Sequence, residues 1–114
     1  MSFASTFGSP ATGAGLVYPI QDNTISTTTP FTLPSPNVYY NITAATASVV
    51  IRLPETASIG EWVNVIATAT SGSSYQIQKG GRTDVSSNSQ DALSFLYIYT
   101  SSGWVNTSNW VYWN

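Results

Sequence analysis

Wherever apolar and polar side chains recur regularly along this chain, they recur with a period of two. The pattern is clearest in Glu61–Thr68 (EWVNVIAT), where Val63, Val65 and Ala67 fall on one face and Trp62, Asn64 and Ile66 on the other. Successive strand residues point to opposite sides, so this segment predicts a strand whose valine face meets a core. Leu93–Thr100 (LSFLYIYT) behaves alike, setting Leu93, Phe95, Tyr97 and Tyr99 against Ser94, Leu96, Ile98 and Thr100. Shorter runs predict strands at Val38–Thr43, Ser48–Leu53, Tyr75–Gln78 and Trp104–Asn106. Leu16–Ile20 reads as a short strand, confined by Pro19 to an edge or a bulge. Thr24–Leu33 is β-branched and broken by Pro30, and the chain closes on the strand-like Trp110-Val111-Tyr112-Trp113.

The breaks between these runs are turn chemistry. Pro34 and Pro36 make a stiff, extended turn. Ala44–Ala47 is too short for a helix, and Ser71–Ser74 is a Ser/Gly turn. Lys79-Gly80-Gly81-Arg82 predicts a tight hairpin, because glycine supplies the positive φ that such turns need. Asp84–Asp91 (DVSSNSQD) reads as a polar loop, and Ser101-Ser102-Gly103 turns into Trp104. About nine short strands with regular turn signals and no helix predict an all-β single domain, a β-sandwich of jelly-roll type. A smaller β-barrel is the alternative. No internal repeat is evident, which argues against a propeller or a solenoid.

Residues 1–15 differ from the rest. They are small, polar and glycine-rich, with Phe3 and Phe7 as the large apolar side chains. The segment reads as a flexible N-terminal arm ahead of a 16–114 sandwich domain: a plain tail, or an arm that orders on a partner through Phe3 and Phe7.

Composition sharpens the picture by what it lacks. Charged residues make up 7% of the 114, against roughly 25% in an ordinary globular protein. Ser, Thr and Asn carry the surface instead. Hydroxyls and amides cost less to bury than charges do, so such a surface suits a protein that lies against other protein. Net charge is −2 with three cations, which predicts no nucleic-acid partner. There is no Cys and no His. That removes disulfides, thiol chemistry, the usual zinc ligands and the usual general base. The N-terminus has no basic segment followed by an apolar run, so no signal peptide is expected. No window approaches ~18 apolar residues, so no membrane partner is expected.

Catalytic and metal constellations are weak. Glu55 and Glu61 flank one turn and could in principle form a carboxylate pair, but acids at turns are ordinarily just solvated. No Ser has a GxSxG setting or a histidine to activate it. Asp84, Asn88 and Asp91 share a loop with Ser86 and Ser89; oxygen ligands can hold calcium, yet the spacing fits no EF-hand. Lys79–Arg82 lacks the spacing of a phosphate loop. The sequons at Asn41 and Asn106 arise readily in a chain this rich in Asn, Ser and Thr. No catalytic residue, metal site or cofactor is assigned, and a non-enzyme is expected.

The aromatic tail is the sharpest local signal. Trp104, Trp110, Tyr112 and Trp113 lie close together, with Tyr97 and Tyr99 just before. Such rings serve as core and interface anchors, or as platforms for sugar faces. Alternation puts Trp110 and Tyr112 on one face of the last strand and Val111 and Trp113 on the other. A strand apolar on both faces wants cover on both, one of them from a neighbouring subunit.

The order VVIRLPETASIGEWVNVIATATSGSSYQIQKGG, then LSFLYIYTSSGW, resembles small β-rich domains of tailed-phage virion proteins: capsid decoration (cement) proteins and head- or tail-fibre domains. The residues that carry the resemblance are Leu53, Pro54, Gly60, Gly80, Gly103 and Trp104. The chain departs from a tail fibre in being short and lacking a coiled-coil shaft, which favours a stand-alone virion surface protein. The resemblance implies a homotrimer on an extracellular particle, and the expectation is a decoration protein on the capsid surface with the major capsid protein as partner. The interface residues expected from the arm and the aromatic tail are Phe3, Phe7, Trp104, Trp110, Tyr112 and Trp113. The other expectation is a receptor- or carbohydrate-binding fibre domain using Trp104, Trp110 and Trp113.

Overall fold

A computed structural model describes residues 18–108. The 1–15 arm with Phe3 and Phe7, and the tail residues Trp110, Tyr112 and Trp113, lie outside the described residues. Among the described residues the protein is all-β, with nine strands and no helix. They are β1 (Ile20–Ile25), β2 (Phe31–Thr32), β3 (Val38–Ala44), β4 (Val49–Arg52), β5 (Trp62–Ala69), β6 (Tyr75–Lys79), β7 (Arg82–Ser87), β8 (Leu93–Thr100) and β9 (Gly103–Asn106). They form two sheets, β1-β3-β5-β8-β9 and β2-β4-β6-β7.

The expected two-sheet sandwich is present, and its winding is distinctive. The first six strands alternate between the sheets, and from β3 to β6 each pairs in parallel with the strand two places before it. The chain therefore coils, with one strand in each layer per coil. No sequence repeat accompanies this coil, and the two sheets close as a sandwich. The coils are unequal in length, since Ile20 stands beside Tyr39 whereas Val38 stands beside Val63. No fixed period is therefore available for the sequence to display. After β6 the winding stops. A hairpin leads into β7, β8 returns antiparallel to β5, and β9 folds back on β8.

Inward side chains stack across the sheets in rungs. Tyr40, Val65 and Phe95 share one rung of the larger sheet, and Phe31, Ile51, Ile77 and Val85 share one of the smaller. Val63, Val65 and Ala67 are fully buried, as the alternation predicts. Burying one such side chain stabilises by about 1.5–3 kcal/mol, and the core unites both inner faces.

Several strand limits differ from expectation. The first strand begins at Ile20, after Pro19, and runs to Ile25. Pro19 has no N–H to give to a ladder, but its carbonyl accepts from Tyr39 N at 2.8 Å. The predicted Thr24–Leu33 strand divides into the end of β1 and the two-residue β2. The predicted Asp84–Asp91 loop is half strand, because β7 extends to Ser87. β7 is an edge strand, and Val85 is the side chain it buries, so a polar sequence suffices there. The Lys79–Arg82 hairpin is as predicted. Gly80 and Gly81 both have positive φ, 56° and 80°, as a type I′ turn requires.

Candidate interaction surface

The predicted site residue within the described region is Trp104, and β9 points it inward. It is 7% exposed, and its Nε1 donates to the Pro54 carbonyl at 3.0 Å. Tyr99 packs against it edge-on, with ring centroids 5.1 Å apart. The indole is therefore a core side chain bridging the two sheets, and its exposed edge is small.

The outward face of the larger sheet holds what the sequence did not signal. Tyr18, Tyr39 and Trp62 form a run of rings with centroid separations of 5.4 and 5.2 Å. Parallel register creates the run by setting β1, β3 and β5 side by side. The row continues through Ile98, which faces Trp62, to Val105, which faces Ile98. Ile20 stands beside Tyr39. Tyr18 is 58% exposed and Ile20 54%, so an apolar band runs from one sheet edge to the other. Farther along the same face the rungs turn polar. Asp22 accepts from Asn41 Nδ2 at 2.8 Å, and Ser94 Oγ donates to Asn64 Oδ1 at 2.9 Å. Beyond these, Thr24, Thr43 and Thr68 form one rung.

Glu61 serves a turn and Asp84 a sheet contact. Glu61 accepts from Ser58 N at 2.7 Å through Oε1 and from Asn37 Nδ2 at 3.1 Å through Oε2. It clamps the turn before β5. Asp84 does not join Asn88 and Asp91 in a loop. It accepts from the Tyr97 hydroxyl at 2.7 Å and Asn106 Nδ2 at 3.0 Å, and it pairs with Lys79 at 3.7 Å. Among the described residues no three His, Cys, Asp or Glu side chains gather as metal ligands would.

Tyr75 is a perturbed titratable group. Its hydroxyl is buried without a well-formed hydrogen bond. Burial pushes the phenol above its ordinary value, and Ser87, directly across the β6–β7 ladder, offsets part of the shift. The side chain lies in the core.

No protein-family model and no curated protein matches the sequence. Among solved structures, a crystal structure of residues 132–251 of StcE from enterohemorrhagic E. coli is similar. It has 20% sequence identity and a TM-score of 0.44, and the match covers 65% of this chain and 66% of that one.

Proposed function

We propose that this protein is a non-enzymatic structural protein of a virion surface, a capsid decoration (cement) protein that acts as a homotrimer against the major capsid protein. The observation that carries the reading is the apolar band Tyr18–Tyr39–Trp62–Ile98–Val105 on the outer face of the larger sheet. A face that is apolar at one end and rich in hydroxyls and amides toward the other resembles an interface core with its polar rim. The chain's scarcity of charge lowers the cost of drying that face. The occupant assigned to the band is a second copy of this chain. The capsid partner and the three-fold symmetry come from the sequence resemblance. The mechanism is mechanical: each trimer spans neighbouring capsid subunits and adds buried area that resists their separation.

Sedimentation at tens of micromolar tests the assembly, because a dissociation constant in the micromolar range corresponds to about 8 kcal/mol. A trimer is expected, and co-sedimentation with capsids lacking the protein should follow. A monomer that ignores such capsids overturns the reading.

A further inference from the structure

All three cations of the chain, Arg52, Lys79 and Arg82, line one open cleft of about 700 Å³ at one end of the sandwich. They arrive from different places. Arg52 ends β4, while Lys79 and Arg82 flank the β6–β7 hairpin. Tyr99 and Trp104 also line the cleft, with Ser102 and Gly103 from the turn between them. Lys79 is already engaged, donating to the Trp104 carbonyl at 3.2 Å and pairing with Asp84. Arg52 gives its Nε to Gln78 Oε1 at 3.1 Å. Neither Arg52 nor Arg82 forms an ion pair among the described residues. Glu55 is the carboxylate among the lining residues. In a chain of net charge −2, every positive side chain thus faces one concavity.

We infer that this cleft binds an acidic saccharide, a sugar bearing carboxylate or sulfate groups. Guanidinium groups match both oxyanions in a two-pronged geometry, and a cleft of one sign concentrates an anion. Gln78, Ser102 and the turn backbone offer neutral hydrogen-bonding groups of the kind that sugar hydroxyls take. Tyr99, braced edge-on by Trp104 at 5.1 Å, supplies a fixed ring for an apolar sugar face. The volume suits a small ligand rather than a folded partner. The inference goes beyond the virion reading and stands without it.

Titration calorimetry of the full chain at low salt tests it with a heparin-derived tetrasaccharide, trigalacturonic acid, neutral maltotriose and hexaglutamate. At least one acidic saccharide is expected to bind, to weaken as salt is added, and to lose tenfold or more in affinity in the R52Q/R82Q double variant. Circular dichroism should show that variant folded, since both side chains are exposed. Four results would each overturn the inference: neither acidic saccharide binds at millimolar concentration, maltotriose binds as well, hexaglutamate binds more tightly than both, or the double variant retains full affinity.

Discussion

The Trp104 indole donates to the Pro54 carbonyl at 3.0 Å across fifty residues of chain. Trp104 belongs to β9 of the larger sheet, and Pro54 follows the end of β4 in the smaller one. A proline carbonyl and an indole N–H have few alternatives once buried, and each would be costly unpaired. The bond fastens the two layers at the end where the coil runs into the closing hairpin.

Trp104→Phe therefore removes the donor and leaves the Pro54 oxygen without its partner. The expected loss is about 1–3 kcal/mol, read as a lower urea midpoint at unchanged slope. Trp104→Ala empties the site as well and should cost about 3–5 kcal/mol. A Phe variant as stable as the native protein would show that the bond holds nothing.

The strands β5 and β8 were legible because each carries one cleanly apolar face against a mixed one. β7 was not, because an edge strand that buries little besides Val85 has no pattern to show. The coil was hidden for another reason. Alternation tells which side of a strand faces inward, but not which strand lies beside it. Turn chemistry pointed to the β6–β7 hairpin correctly, because that partner is local. The aromatic band is hidden in the sequence for the same cause as the coil: Tyr18, Tyr39 and Trp62 are far apart along the chain, and parallel register brings them together. Trp104 was legible as an anchor, though a period of two could not say whether core or partner would receive it.

Asn37 should tolerate substitution in an unusual order. It holds φ at 65°, a region asparagine visits more readily than other non-glycine residues. Its Oδ1 accepts from Trp62 N at 3.3 Å and its Nδ2 reaches Glu61. Alanine loses both contacts and adds about 1–2 kcal/mol of left-handed strain. Glycine loses the contacts alone. Thermal melts should rank native above Asn37→Gly above Asn37→Ala, the reverse of the order in an ordinary strand.

Tyr75→Phe is expected to stabilise. The hydroxyl is buried without a well-formed bond, and an unsatisfied group of that kind costs about 1–3 kcal/mol. The sign of the pH effect follows from the raised phenol. The folded state keeps its proton above pH 10.0, where the unfolded chain releases it. Stability from this group is therefore whole below pH 10 and falls as pH rises through the folded value. Equilibrium unfolding at a series of alkaline pH values should show a shallower decline for the Phe variant. Equal slopes would assign the alkaline loss to other groups.

The assembly reading turns on two exposed isoleucines. Ile20 is 54% exposed and stands beside Tyr39 in the apolar band. Ile59 is 72% exposed, in the loop before β5 and outside the band's rungs. Neither belongs to the core, so aspartate at either position should leave the monomer's fold and circular dichroism unchanged. An unpaired carboxylate buried between subunits costs several kcal/mol, enough to dissociate a micromolar assembly. Ile20→Asp should therefore sediment as a monomer at concentrations where the native chain and Ile59→Asp are still assembled. If both variants assemble like the native protein, the band is not the contact. If Ile59→Asp alone dissociates, the interface lies at the loop end of the sandwich, and the outer face of the larger sheet must be assigned to something other than a second copy.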